Sequence, residues 1–350
     1  MKKKKQSRRN IDWDSYLFRK KKRQTILFAG SFLVLILILA GSYLLLEDQH
    51  YLLVSLLVLG IISISFFANF EYRKPRAREI VLLATMTGFC VISNEICSHT
   101  IPLHAGTTMV VISGIAMGPE AGFLIGALSR LLCNFFTGQG PWTPWQMMAW
   151  GLIGFLAGLV FNRIEVKDRF WGQAKKGRLA KAEQKQEKRS LAQKLALEKN
   201  HSFRLIAAPV ICILVAWLVA YLWYLLAGAD RGESFLGWRL YVFGIAGLLA
   251  GCLLQRKKLP VDAVTTTVFT FIVVFLLYGG IMNFATMLMS HTADPGNNQI
   301  SMEALKILYL TGAPYDAAHG VAAAFCMFLF GDSILQKLQR IQIKYGINSC

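Results

Sequence analysis

Apolar runs of about 20 residues, the length at which a helix crosses a hydrocarbon core, recur at 26–46, 51–70, 80–97, 203–226, 236–254, 264–289 and 314–335. Lipid offers no water to satisfy open peptide groups, so only helices and closed barrels cross it; runs this long without alternation select helices. Between 105 and 161 hydropathy stays high but is cut by Gly118-Pro119-Glu120 and by the stretch from Gly138 to Pro144. These cuts divide it into three crossings, the first of them short. The reading is an all-α integral membrane protein of about ten transmembrane helices. Composition agrees: 55% of the 350 residues are hydrophobic and 17% charged, and mean hydropathy is +0.45, too apolar for a soluble chain.

Charge gives the helices a direction. The formal net charge is +18, and the cations gather in the first 23 residues and at 73–78, 163–204, 255–258 and 337–344. Intervening loops carry Glu47, Asp48, Asp230, Glu233, Asp294, Glu303 and Asp316 with few cations. Basic loops are retained inside, so this alternation predicts an even number of spans with both termini cytosolic. The first apolar run continues past signal length without a small-residue cleavage site and is expected to remain as an anchor. The segments read as a basic tail over 1–24, a transmembrane hairpin over 25–72 and the first part of a core over 73–163. A basic cytosolic insert over 164–204, an additional helix pair over 205–256 and the second part of the core with its basic tail over 257–350 follow. The insert is rich in Lys, Gln, Glu and Ala and has no apolar face wide enough for a core. It either enforces topology or attracts anionic lipids or a regulatory partner. It lacks the interleaved aromatics of a nucleic-acid surface, so no nucleic acid is expected as a partner.

Within the apolar runs, polar residues concentrate over 80–161 and 278–319. Gly114, Gly118, Gly122 and Gly126 recur every four residues and stack on one helical face, which lets helices approach closely. Ser129 and Cys133 extend that small stripe, while Arg130, Asn134 and Thr137 form a polar stripe beside it. An arginine inside a span is costly unless it faces a partner or a wet cavity, so Arg130 is read as functional. At the extracellular end of the run 80–97 stand Asn94, Glu95, Ser98 and His99; Glu95 either pairs with Arg130 or touches a ligand.

His104, in the turn 100–104, lies on the same side. So does the stretch 138–146, which holds Gln139, Trp142, Trp145 and Gln146 with two prolines and two glycines. Its indoles read either as an interfacial belt or as a stiff lid laid over a solute. Farther on, Gly279-Gly280 permits a kink or close approach, and Asn283 requires a partner. The final span is expected to open at Pro314-Tyr315-Asp316. There Pro314 and Asp316 either start the helix, or Asp316 and His319, at i and i+3, reach the outer cavity.

His99, His104 and His319 lack metal-ligand spacing, and the seven cysteines include no CxxC pair. Neither a metal nor a cofactor is expected in this chain. GxSxG, HExxH and Walker A motifs are absent, so the chain is expected not to be an enzyme and not to hydrolyse ATP.

The segments GPEAGFLIGALS (118–129), GQGPWTPWQ (138–146) and WGLIGFLAG (150–158) resemble the substrate-specific (S) components of energy-coupling factor (ECF) transporters. YGGIMN (278–283), PYDAAH (314–319) and KLQRIQIKYG (337–346) look like the closing elements of the same group. The resemblance implies a six-helix membrane subunit that captures a vitamin or related micronutrient at its extracellular face, with cobalamin uptake as the most similar subgroup. It implies three partners, a transmembrane coupling subunit and two ABC-type ATPase subunits. The family's AxxxA contact motif for the coupling subunit has its nearest match in Ala84 and Gly88, still small-xxx-small. The N-terminal hairpin and residues 164–256 have no counterpart in that six-helix core. Two rival readings stand beside it: a self-sufficient secondary carrier, which calls for an internal repeat that the sequence lacks, and a membrane-bound scaffold or regulator acting through the basic insert.

Overall fold

The computed structural model describes residues 51–72, 75–100, 105–161, 209–226, 237–254, 259–293 and 301–345. The expected span at 26–46, the basic insert over 164–204 and His104 lie outside the described residues. Within them the chain is helical nearly throughout, apart from an isolated bridge that pairs Phe161 with Leu259. The helices are α1 (Tyr51–Tyr72), α2 (Ala77–Thr100), α3 (Ala105–Met117), α4 (Pro119–Thr137) and α5 (Trp142–Val160). After them come α6 (Pro209–Leu226), α7 (Trp238–Leu254), α8 (Ala263–Val273), α9 (Gly279–Ala293) and α10 (Met302–Lys344). Among the described residues, four stretches are long and apolar enough to cross a membrane: Ala77–Cys97, Pro209–Leu226, Ala263–His291 and Met302–Gln342. The protein is an all-α multi-pass membrane protein.

Three contacts gather helix ends at one pole of the bundle. Arg78 Nη1 donates to Tyr345 O (2.8 Å), Gln342 Nε2 to Ala116 O (3.0 Å) and the Leu259 amide to Val160 O (2.8 Å). With Arg76, Lys337, Arg340 and Lys344 nearby in sequence, this is the basic end. The C-terminal half of α4 and the starts of α3 and α5 lie at the opposite, far end.

Glycine sets the spacing in the middle of the bundle. The breaks at Gly118 and Gly138 have φ of 95° and 106°, backbone conformations open to glycine and strained for L side chains. Both interruptions expected between 105 and 161 therefore fall where the backbone needs them. Between the breaks the small stripe does what its spacing implies. A Cβ added at Gly122 would run into Gly154 O, and one at Gly154 into Gly122 O, while Gly126 lies against the Trp150 carbonyl and Gly158 against Pro119. The α4 and α5 backbones thus touch, and α3 joins them through Gly114 against Gly154. Such contacts give van der Waals attraction that lipid, already as apolar as leucine, cannot match. Around them the core is filled by Val110, Ile112, Phe123, Ile125, Ile153 and Phe155. From α1, Phe66 stacks on Phe123 at 4.1 Å and meets Phe155 edge-on at 5.1 Å.

The last third departs from expectation in two ways. The span 264–289 contains a π-helical turn, Val274–Tyr278, immediately before Gly279. A π-turn re-aims side chains inside a helix and is a known source of bends. The glycine pair then serves close approach: a Cβ at Gly279 would lie 2.5 Å from Asp316 Oδ2. The final helix opens at Met302, twelve residues before Pro314. Met302, Glu303, Ala304, Leu305, Lys306 and Leu308 are good helix formers, and Ser301 Oγ caps the start by accepting from the Ala304 amide (3.0 Å). Pro314 therefore sits inside a 43-residue helix, about 65 Å long against a hydrocarbon core of about 30 Å.

The pair α6 and α7 packs antiparallel, with Gly247 against Ile213 and Trp217 Nε1 donating to Leu240 O (2.9 Å). It is no detached appendage: Tyr241 on α7 is wholly buried and stacks on Phe275 at 5.3 Å.

Replacing Gly154 by valine is expected to cost about 1–3 kcal/mol through overpacking. Gly88→Ala, with nothing within 4 Å of its added Cβ, is expected to stay within about 0.5 kcal/mol of the parent. Thermal unfolding of the two variants in one detergent checks the contrast.

Candidate functional site

Polar side chains from seven helices converge at the far end. On α4 and α5 the contacts interlock. Asn134, fully buried, donates through Nδ2 to Thr143 Oγ1 and Gln146 Oε1, both at 2.9 Å. Arg130 donates through Nε to the same Gln146 oxygen (2.9 Å) and lays its guanidinium over the Trp150 ring, 5.4 Å from the centroid. Thr143 Oγ1 also accepts from the Gly140 amide (3.2 Å) and donates to Gln139 Oε1 (2.9 Å). This network fixes the start of α5 against the end of α4, satisfying polar groups that would each cost free energy in an apolar surrounding.

From α2, Asn94 is buried and donates to Glu95 Oε1 (3.3 Å). It abuts the start of α3, where a Cβ on Gly106 would come within 2.7 Å of Asn94 Cβ and 3.0 Å of the Trp150 ring. Glu95 and Arg130 both flank Cys133. Arg130 gives its bond to Gln146 and lies over the Trp150 ring; direct pairing with Glu95, one of the two alternatives open in the sequence, is not among its contacts.

Across the bundle, Thr107 Oγ1 and His319 Nε2 are 3.1 Å apart, and Thr108 Oγ1 donates to Ala323 O (2.8 Å), which ties α3 to α10. Tyr278, at the end of the π-turn, meets the His319 ring edge-on at 4.7 Å. Both Arg130 and Asp316 lie within electrostatic reach of Tyr278. Asp316 Oδ2 accepts from Tyr241 Oη (2.5 Å) and from Asn283 Nδ2 (2.8 Å). Tyr309, its ring tilted against that of Tyr241 at 4.6 Å, donates through Oη to Gly280 O (2.8 Å).

Of the residues singled out in the sequence, Asn94, Glu95, Arg130, Asn134, Gln139, Gln146, Asn283, Asp316 and His319 are in this assembly, though Asp316 and His319 serve different partners. Trp145 is 1% exposed and packs edge-on against Phe284 at 6.1 Å. Trp142 is 37% exposed and lies over Gly140. Neither indole belongs to a lid loop. Pro141 takes a helical φ of −62° and α5 begins at Trp142, with Pro144 in its first turn, where no backbone donor is needed. Tyr315 is 79% exposed and points away from the cluster. The His99 side chain lies outside the described part of the structure. Sequence reading passed over Thr107, Thr143, Trp150, Tyr241, Tyr278 and Tyr309. Thr143 had a signal, standing at i+4 from Gln139 in a stretch already marked. The others sit singly in apolar runs, and Tyr241 lies in a helix set apart from the core.

These features define a helical membrane protein with a dense polar site at one end of its bundle. Residues 74–182 match the family model described as ECF-type riboflavin transporter, S component. That stretch takes in α2 through α5, and over it the chain is similar to the S components of ECF transporters. Two UPF0397 proteins of Aliivibrio fischeri, from strains MJ11 and ATCC 700601 / ES114, are each 32% identical to this chain over 75 residues. The chain spans 40% of the length of these relatives, and the alignment takes in 19% of its own. No solved structure matches.

Asn134→Leu keeps the volume but leaves Thr143 and Gln146 short of a donor. It is expected to cost about 1–3 kcal/mol, read as a lower unfolding temperature in detergent, with Thr137→Val, at an exposed position, close to the parent.

Proposed function

We propose that the protein is the substrate-binding membrane subunit of an ECF-type ABC transporter, and that it takes up a vitamin-type solute across the cell membrane. The observation that carries this reading is the convergence of Arg130, Asn134, Gln146, Asn94, His319 and Asp316 at the end of the bundle opposite the basic one. Cations favour the cytosolic side, so the far end is extracellular, where an uptake subunit meets its cargo. Intramembrane ionisable groups are costly to maintain and mark substrate paths. A chain without a nucleotide-binding motif needs partners to supply ATP turnover, here a coupling subunit and two ATPase subunits.

Between the corrinoid suggested by the sequence segments and the flavin named in the family description, the site favours the flavin. Trp150, Thr107 and Asn134 are almost wholly buried, and helices this close separate more readily for a flat ring than for a bulky corrin.

The docking face is read on α2. Ala84 is exposed, Gly88 has open space above it, and Val81, Phe89 and Ile92 frame the notch with exposed apolar surface. A partner helix fits closely there through small-xxx-small packing. Purification from native membranes in mild detergent is expected to recover an ATPase and a second membrane subunit. Leucine at both Ala84 and Gly88 should lower that recovery about tenfold at unchanged abundance. A wild-type preparation without either subunit contradicts the assignment.

A further inference from the structure

Only residues 73–76 join α1 to α2, yet among the described residues the two helices scarcely touch. Phe66, stacked on Phe123 and edge-on to Phe155, holds α1 against α4 and α5 instead. A cleft of about 580 Å³ opens between α1, α2 and α4, with Ile64, Phe67, Ile80, Leu124 and Leu128 in its wall. Among the described residues that line it, only Glu71 is polar. From Ile64 to Glu71 the cleft follows α1 for about 10 Å, within the roughly 15 Å that one leaflet gives to the hydrocarbon core. Ile80 is in the first turn of α2 and Leu124 in the second turn of α4. The mouth is therefore at the basic end, and the cleft belongs to the inner leaflet.

An apolar cleft in a bilayer stays neither empty nor wet: a void forfeits dispersion contacts, and water finds too few polar partners on such a wall. The surrounding solvent supplies acyl chains. The mouth presents charge of both signs. Glu71 is exposed, and so are Arg76 and Arg78, which stand between Glu71 and Ile80 in sequence. A carboxylate beside guanidinium groups complements a headgroup that carries an ammonium and a phosphate together. A glycerol headgroup offers the carboxylate no cation, and a choline offers it no N–H. We propose that this cleft binds one phosphatidylethanolamine of the inner leaflet, with an acyl chain between Ile64 and Leu128, the ammonium at Glu71 and the phosphate at Arg76 and Arg78. The lipid closes the seam between α1, which lies outside the stretch 74–182 matched by the family model, and the helices within that stretch. The site is separate from the polar assembly at the far end and does not depend on which solute is carried.

The test titrates the purified, delipidated full chain in detergent with the dioleoyl forms of phosphatidylethanolamine, phosphatidylcholine and phosphatidylglycerol, read by native mass spectrometry. The acyl chains are identical, so any difference between the lipids reports the headgroup. Two variants separate the chain from the headgroup. Ile64→Trp, at a position 67% exposed, puts an indole into the cleft without displacing buried packing. Glu71→Gln removes the charge that selects the ammonium and leaves the cleft open. Unfolding temperature in lipid-free detergent checks that both variants fold as the parent does.

Wild type is expected to hold one phosphatidylethanolamine per chain, about tenfold more tightly than either other lipid. Ile64→Trp should weaken all three lipids about tenfold. Glu71→Gln should still take up lipid but no longer distinguish ethanolamine from choline. Because a ligand that binds the folded chain stabilises it, phosphatidylethanolamine should also raise the unfolding temperature of the wild type more than that of Ile64→Trp. Affinity for either other lipid that equals or exceeds that for phosphatidylethanolamine, undiminished binding by Ile64→Trp, or a preference that survives Glu71→Gln overturns the proposal. So does a wild-type chain that takes up no lipid, the result expected if another helix covers the cleft.

Discussion

Backbone contact between α4 and α5, made through Gly122, Gly126, Gly154 and Gly158, is the constraint on which the site depends. With no Cβ between them, the helices lie close enough for short side chains at their far ends to meet directly. Asn134 then spans to Thr143 and Gln146, and Arg130 reaches Gln146 and Trp150. Larger residues on the stripe would separate the helices and leave those groups unsatisfied in an apolar surrounding, where that is costly. The same economy recurs where α9 meets α10: Gly279 makes room for Asp316 and Gly312 for Asn283. Packing and polarity are therefore one problem in this molecule. The small residues are what let the polar ones find partners.

Much of this was legible in the sequence because its causes are local. Runs of apolar residues located the helices, and the two breaks between 105 and 161 fell at glycines with positive φ. The polar stripe of Arg130 and Asn134 followed from helical period alone. Other features depend on contacts between distant segments and left no local trace. Tyr241 looks like any aromatic residue in an apolar helix until α7 is placed beside α10. The π-turn at Val274–Tyr278 has no compositional mark beyond the glycines after it. The start of the last helix was misplaced because Pro314 signals a boundary by its own chemistry, whereas the preceding twelve residues form helix strongly enough to run through it. The stretch 138–146 was misjudged in a related way: two prolines in nine residues suggest a loop, but the first turn of a helix has no use for the donors they lack.

The inserted pair α6 and α7 changes how the chain divides. By sequence it stands apart from the six-helix core that the resemblance implies. By structure, Tyr241 is a wholly buried member of the core, stacked on Phe275, in ring contact with Tyr309 and bonded to Asp316. A helix that only padded the bundle against lipid would have no reason to place a phenol on an intramembrane carboxylate, because each such group carries a desolvation cost that its partner must offset. The exposed apolar face of α6, by contrast, with Leu218, Leu222 and Leu226 outward, is suited to lipid. One helix of the pair contributes to the polar site and the other shields it.

The central claim is that these converging side chains hold a small solute, and native mass spectrometry of the full chain released from its own membranes tests it most directly. The account predicts one bound small molecule per chain in the wild type, and its loss in Arg130→Ala at unchanged abundance. A wild-type chain that carries no small molecule, or an Arg130→Ala chain that retains it undiminished, would contradict the account.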